Sequence, residues 1–230
     1  MRRRQFTAAL PLSLSLGTSM ALLHGPAQAG LSESDAAVGV RAALERGALA
    51  AVSVLGKTDG FMGNPQVKIP LPGVLGDAVK LLKAAGQGKK LDELVMAMNR
   101  AAEAAVPVAK PIFVSTVKLI SVEDALKVVR GGETSVTDFF AKKTRSPLSE
   151  KFLPIVTQAT HKQSLAARYN AVAAKAAGLG LLKGDEVNIQ HYVTARALDG
   201  LFKMIGEEEK KIRADPVKTG SAILKKVFGA

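Results

Sequence analysis

The chain contains no cysteine among its 230 residues. Disulfide bonds, thiolate metal sites, cysteine nucleophiles and lipid anchors attached to cysteine are therefore excluded. Several enzyme classes are removed by this one absence. The fold must be held together by the packing of its side chains, for which a chain of this length is large enough.

Aromatic residues are also scarce, since the chain has eight Phe, two Tyr and no Trp. The hydrophobic residues make up 47% of the chain and are mostly Ala, Leu and Val. This composition favours closely packed helices over aromatic-rich sheets or stacking platforms. We therefore predict an all-α fold.

The start of the chain lacks an uninterrupted hydrophobic run. The uncharged residues 5–23 include Pro11, Gly17 and several Ser and Thr, which argues against a permanent membrane span. Because three arginines (2–4) precede this stretch and the small-x-small sequence 27–29 follows it, residues 1–29 are predicted to be a cleavable export signal. The arginines fit both the twin-arginine route and the general secretory route, and this choice stays open. The mature protein is predicted to be periplasmic or otherwise exported, and soluble.

Acidic residues are outnumbered, with 20 Asp and Glu against 32 Lys and Arg. Because residues 1–29 contain three arginines and no acid, the mature chain keeps 29 basic residues and a net charge of +9. The polyanions available to an exported protein are lipid headgroups, lipopolysaccharide and acidic proteins. We predict a lipid, a membrane surface or an acidic envelope protein as the partner and expect no nucleic acid. Solubility alone would also explain the charge.

The apolar pattern of residues 30–230 predicts a single compact bundle of about eight to ten helices. The longest is expected from Asn188 to Asp215, where apolar residues recur at three- and four-residue spacing between a capping residue and a proline stop. The pair Gly131-Gly132 marks a candidate seam. Other helices are predicted near residues 32–55, 72–85, 91–105, 112–119, 121–130, 165–178 and 216–228.

Two prolines complicate the region after Ser135. The order Ser146-Pro147 is typical of a new helix start, and Pro154 is expected to bend that helix early. The sequence therefore predicts a short helix beginning at Ser135 and a separate helix beginning at Ser146.

One long irregular segment, residues 57–73, interrupts the helical pattern with glycines and three prolines. Residues 67–72 must be extended, because residues that precede proline avoid the helical conformation. A long loop that alternates apolar residues with proline is suited to lie along a groove, which makes Lys68, Ile69 and Leu71 candidate binding residues. The alternative is a packed crossover in which Ile69 and Leu71 fill the core.

Three adjacent acids, residues 207–209, form the longest acidic run. Because neighbouring helical positions point in different directions, these carboxylates do not converge on one point. Glu208 lies at the edge of the apolar face, where a carboxylate needs a partner. We predict an ion pair of Glu208 with Lys68 or Arg100, and we add Glu208 and Arg100 to the candidate binding residues. The alternative role of Glu208 is that of a catalytic acid.

The mature chain has two histidines, His161 and His191, and neither has an acid or a second histidine at helical spacing. We therefore predict no metal and no other cofactor. The chain also lacks a Gly-x-Ser-x-Gly nucleophile elbow. No catalytic residue is predicted, and an envelope hydrolase that uses Glu208 or His161 is the alternative.

Four sequence strings carry a resemblance to a known family. They are N-P-Q-V-K-I-P-L-P (64–72), F-L-P-I-V (152–156), A-L-D-G-L-F (197–202) with E-E-E-K-K-I-R (207–213), and K-K-V-F-G (225–229). Together they resemble a bacterial family of exported proteins described as a domain of unknown function, over essentially the whole mature chain. The resemblance implies an exported, mainly helical protein and carries over no catalytic or binding residue.

These observations lead to one hypothesis of function and two alternatives. We hypothesise a non-catalytic envelope protein that binds an apolar or anionic ligand, a membrane surface or a protein partner. The basis is the combination of basic charge, short apolar helices and missing catalytic groups. The alternatives are the hydrolase named above and a structural homo-oligomer.

Overall fold

A computed structural model describes residues 32–73, 83–84, 86, 88–161, 164–178 and 184–229. Every regular element in these ranges is helical, which confirms the predicted all-α class. The α-helices are α1 (Glu33–Leu55), α2 (Gly88–Ala105), α3 (Ala109–Lys118), α4 (Val122–Val129), α5 (Ser135–Thr160), α6 (Ser164–Gly178), α7 (Ile189–Ala214) and α8 (Ala222–Phe228). Short 3₁₀ helices cover Val106–Val108, Gly184–Val187 and Val217–Thr219. The predicted export signal lies outside the described residues, as does most of the helix predicted at 72–85.

Helix α7 packs most extensively against α5 and α1. It begins where the sequence predicts, because the side chain of Asn188 accepts a hydrogen bond from the backbone N–H of His191 at 2.8 Å. Asp215 ends it. Its fully buried apolar residues are Val193, Ala197, Leu198, Leu201 and Ile205. Residues Leu31–Ala230 form one compact unit around this helix.

The scarce aromatic residues are concentrated in the core. Phe61, Phe113, Phe140 and Phe152 are all essentially inaccessible to solvent. The ring of Phe113 lies 5.0 Å from that of Phe140 and 6.2 Å from that of Phe202, so that one cluster joins α3, α5 and α7.

The prediction of separate helices after Ser135 and Ser146 is wrong, because α5 is one helix of 26 residues that contains Pro147 and Pro154. Each proline deprives the carbonyl four residues earlier of its donor. Those carbonyls belong to Lys143 and Glu150, which are exposed and therefore accessible to water. The opposite face stays continuous, with a buried residue at every fourth position: Phe140, Thr144, Leu148, Phe152, Val156 and Thr160.

Within the described part of the chain, no single helix combines the length and hydropathy that crossing a membrane requires. By length and composition alone, the segments Gly88–Lys118 and Val122–Val129 meet that requirement as a pair bent by 103°.

Gly200 of α7 allows the irregular segment to approach the helix closely. A Cβ atom at this position would lie 2.8 Å from Cε1 of Phe61 and 3.2 Å from Cβ of Val67. Both side chains are buried, so they have little room to move. We expect Gly200→Ala to lower the free energy of unfolding by about 1–3 kcal/mol in equilibrium denaturation.

The control is Gly47→Ala in α1, where the nearest atoms would lie 3.5 Å from the added Cβ. Because alanine is a better helix former than glycine, this variant is expected to be more stable by about 0.5–1 kcal/mol. Equal destabilisation by both substitutions would contradict the close contact at Gly200.

Candidate functional site

The irregular segment is attached to α2 through its backbone. Residues 57–72 form turns and extended chain, and Gly73 is helical. The amide of Asn99, fully buried on α2, makes two hydrogen bonds to Ile69: its Oδ1 accepts from the Ile69 N–H at 2.8 Å, and its Nδ2 donates to the Ile69 carbonyl at 2.9 Å. The same Nδ2 donates to the carbonyl of Val95 at 2.8 Å. All polar atoms of this buried amide are therefore engaged in positioning the segment.

One helical turn further along α2, Glu103 holds the start of the segment. Its Oε1 accepts hydrogen bonds from the backbone N–H groups of Phe61 at 3.0 Å and Met62 at 3.1 Å. Its Oε2 accepts from Arg100 at 2.6 Å, and the same guanidinium reaches Asp59 at 2.8 Å. The hydrogen bond to Glu103 is the main cause that raises the pKa of Arg100, and the hydrogen bond to Asp59 is the next largest. The carboxylate is only 5% exposed, so these contacts replace its hydration.

Helix α7 holds the opposite side of the segment. The hydroxyl of Tyr192 donates to the carbonyl of Pro70 at 3.2 Å, and Nζ of Lys203 donates to the carbonyl of Gln66 at 3.0 Å. Burial is the main cause that raises the pKa of Tyr192. The hydroxyl therefore stays protonated and can donate this hydrogen bond. The segment is thus fixed between α2 and α7.

The three candidate binding residues of the segment have different environments. Ile69 is 1% exposed and belongs to the core, and Leu71 is half-buried and packs against it. The burial of Ile69 and Leu71 favours the packed-crossover alternative, and their role as ligand contacts stays a prediction. Lys68 is exposed and borders an open groove.

That groove runs along α7 and is called here the α7 groove. Its large compartment, about 380 Å³, lies between the N-terminal part of α5 with the preceding residue Thr134 and the part of α7 from Asp199 to Lys210. Its small compartment, about 170 Å³, lies between α7 and residues 66–70 of the irregular segment. The compartments adjoin at Asp199 and Lys203, which line both.

Asp199 holds two arginines in the groove. Its Oδ1 lies 2.7 Å from Arg145 of α5, in the large compartment, and its Oδ2 lies 3.2 Å from Arg196, in the small compartment. Each guanidinium also lies over an aromatic ring, at 5.4 Å from the centre of Phe202 for Arg145 and 5.7 Å from the centre of Tyr192 for Arg196. A carboxylate and a ring together restrict each flexible side chain, so both cations are presented in defined positions.

The predicted partners of Glu208 are wrong. Glu208 pairs with Lys211 at 2.6 Å on its own helix, while Arg100 pairs with Asp59 and Glu103. Side chains three residues apart on a helix reach each other without any tertiary contact, which explains the actual pairing. Glu208 lines a small surface depression of about 150 Å³ beside Arg46 and Asp215.

The buried acid of the 207–209 run is instead Glu209, which is 4% exposed. Its carboxylate accepts from the backbone N–H groups of Val136 at 3.1 Å and Thr137 at 2.7 Å, and from the Thr137 hydroxyl at 2.6 Å. Arg213 pairs with Glu209 at 2.9 Å and donates to the carbonyl of Val129 at 3.0 Å. This pair therefore joins the end of α4 to the start of α5 across the Gly131-Gly132 turn.

His161 lies apart from Glu208. It borders an open depression of about 610 Å³ beside α5, together with Leu153, Pro154 and Thr157. The Thr157 hydroxyl donates to the Leu153 carbonyl at 2.7 Å. Among the residues that the structure describes, no group of three or more His, Asp or Glu has the arrangement needed to hold a metal ion.

Sequence reasoning missed Asn99, Glu103 and Asp199. One signal was present for the first two, since Asn99 and Glu103 are polar residues four positions apart next to the apolar stripe of α2. For Asp199 the local pattern offers one signal, since Arg196 precedes it by three positions on α7. The second arginine, Arg145, comes from α5, and no local pattern indicates it.

No curated protein and no solved structure matches the chain. A family model does match, over residues 30–229, and its description is "protein of unknown function (DUF4197)". The match covers almost all of the chain, in agreement with the resemblance drawn from the four sequence strings. The chain therefore belongs to the DUF4197 family of proteins of unknown function.

Proposed function

We propose that this protein is a non-catalytic binding protein of the bacterial envelope and that its α7 groove binds an anionic ligand. Residues 1–29 would direct export and be removed. Residues 30–230 would form a single bundle of about eight to ten helices, with the irregular segment as one wall of the groove. The family match starts at residue 30, just after the proposed signal, which supports this division.

The observation that carries the proposal is the pair of arginines held by Asp199. Arg145 and Arg196 are about half exposed, so each keeps guanidinium N–H groups facing solvent while its position is restricted. Ligand binding is favoured when the binding groups need little further ordering. Arginine also suits phosphate and carboxylate groups because its planar N–H groups can bind two oxygens at once.

The charge of the groove lining supports an anion. Five cations line the two compartments, namely Lys68, Arg145, Arg196, Lys203 and Lys210. Three acids line them, namely Asp138, Asp199 and Glu207. The excess of positive charge agrees in sign with that of the whole chain, which would steer anions towards the protein.

An apolar ligand is the second candidate. The depression beside α5 that includes His161 has the larger volume, about 610 Å³, and Leu153 and Pro154 supply apolar lining. Concave sites with mainly apolar walls are typical of small-molecule binding. No Lys, Arg, Asp or Glu is among its described lining residues, so an anion would gain little there.

The experiment compares two triple variants with the same loss of positive charge. In the groove variant, Arg145, Arg196 and Lys203 are each replaced by Gln. In the control variant, the exposed residues Lys118, Lys151 and Lys225, which do not line the groove, are each replaced by Gln. Calorimetric titration uses inorganic phosphate, citrate and phosphatidylglycerol vesicles as probes.

We expect the wild-type protein and the control variant to bind at least one probe with equal affinity, and the groove variant to bind it at least tenfold more weakly. Equal weakening in both variants would mean that only the overall charge matters, which contradicts the proposal. Binding of a fatty acid with no binding of any anion would favour the second candidate. Hydrolysis of a bound probe by the protein would contradict the non-catalytic role.

A further inference from the structure

We propose, building on the anion-binding role of the α7 groove, that the small compartment is a site for a doubly charged phosphate monoester group. The compartment lies between α7 and residues 66–70, and its volume of about 170 Å³ suits a compact group better than a whole ligand. The remainder of the ligand would extend into the large compartment, which adjoins it at Asp199 and Lys203.

The backbone of residues 66–70 cannot donate hydrogen bonds to the anion, because its N–H groups already have acceptors. The N–H of Gln66 donates to Asn64 Oδ1 at 3.1 Å, and the N–H of Lys68 donates to the Asn64 carbonyl at 2.9 Å. The Val67 N–H donates to that carbonyl at 3.1 Å, and the Ile69 N–H is bound by Asn99. Residue 70 is proline and has no N–H. An anion here must therefore be bound by side chains, in contrast to sites built from backbone amides at loops.

The positively charged side-chain donors are Lys68, Arg196 and Lys203. Lys203 donates one N–H to the carbonyl of Gln66, and an ammonium group has two more. One nitrogen of the Arg196 guanidinium pairs with Asp199. A guanidinium has five N–H groups, so the others can bind a ligand. Tyr192, over which Arg196 lies, is itself bonded to Pro70. The guanidinium is therefore fixed beside the segment that forms the other wall.

The balance of charge selects the kind of anion. Three cations and one acid, Asp199, line the small compartment, which leaves an excess of two positive charges. The large compartment holds three cations and three acids, so its lining is balanced. A phosphate monoester carries a charge of about −1.5 to −2 at neutral pH. It therefore matches the small compartment better than a phosphodiester or a carboxylate, each of which carries one negative charge.

The test is an NMR titration of the isotope-labelled protein, expressed from the full-length chain, with a series of anionic probes. Phenyl phosphate is the monoester probe, diphenyl phosphate the diester probe and sulfate a dianion whose charge does not change with pH. Two further arms distinguish the source of the group: inorganic phosphate represents a free ion, and vesicles with phosphatidic acid represent a lipid monoester, compared with vesicles of phosphatidylglycerol.

We expect phenyl phosphate to bind at least five- to tenfold more tightly than diphenyl phosphate. Between about pH 7.5 and about pH 5 its affinity should fall about tenfold, because its second pKa is about 6, whereas sulfate binding should change little. Arg196→Gln and Lys203→Gln should each lower the affinity for phenyl phosphate by about tenfold, the usual effect of losing one charged hydrogen bond. Lys210→Gln, in the large compartment, should weaken it less than about threefold.

The outcomes separate this inference from the proposed function. If no probe binds, or if the groove and control triple variants behave alike, the anion-binding role itself is wrong. If anions bind but the diester binds as tightly as the monoester, the groove binds anions and the inference is wrong. The inference is also wrong if Lys210→Gln lowers the affinity for phenyl phosphate more than Arg196→Gln does.

Discussion

Replacement of Glu103 by alanine is expected to lower the free energy of unfolding by about 3–5 kcal/mol. The carboxylate is almost fully buried and accepts hydrogen bonds from the backbone N–H groups of Phe61 and Met62. Without it, these donors lose their acceptor, and Phe61 is fully buried, so that water cannot easily replace the lost contact. A buried donor without a partner costs about 1–3 kcal/mol, and Arg100 loses one of its two partners as well.

The matched control is Glu93→Ala on the same helix, where the residue is exposed and has no hydrogen bond or ion pair among the described residues. We expect this change to alter stability by less than about 0.5 kcal/mol. Urea denaturation followed by circular dichroism measures both variants. Similar, small effects in the two variants would mean that Glu103 does not anchor the irregular segment.

The second large effect is expected for Glu209→Ala, again about 3–5 kcal/mol. Glu209 accepts three hydrogen bonds from Val136 and Thr137 at the start of α5, where the free N–H groups of a helix need acceptors. Its loss also leaves Arg213 without its carboxylate. Because Arg213 binds the end of α4, the turn between α4 and α5 is expected to loosen.

The neighbouring residue provides a close control. Glu208→Ala removes a carboxylate that is 25% exposed and bonded only to Lys211. Pairs of this kind contribute about 0–1 kcal/mol, so this variant should remain near the wild type. Equilibrium denaturation gives the stabilities, and hydrogen exchange of residues 131–137 reports on the turn. A larger loss of stability in the Glu208 variant than in the Glu209 variant would contradict the assignment.

The all-α class and the position of α7 could be predicted from the sequence because they depend on local patterns. Asn188 caps its helix, apolar residues recur on one face, and Asp215 ends it. The helix boundary predicted at Ser146-Pro147 is wrong for a tertiary reason. The buried face of α5 continues past both prolines, and the carbonyls without donors belong to the exposed residues Lys143 and Glu150.

The candidate site was predicted only in part. Lys68 borders the groove, but Ile69 and Leu71 pack in or against the core. Glu208 and Glu209 are adjacent in sequence, and which of them is buried depends on where α5 begins relative to α7. The Asp199 site brings together residues 145, 196 and 199 from two helices, with residues 66–70 forming a further wall. Such a convergence requires the folded structure.

The central claim is that the α7 groove binds an anion. Its most direct test is an NMR titration of the isotope-labelled protein with phenyl phosphate. The account predicts saturable shifts centred on Lys68, Arg196, Asp199 and Lys203, which disappear in the groove variant and persist in the control variant. Shifts that do not saturate, or that spread over lysines across the whole surface, would contradict it.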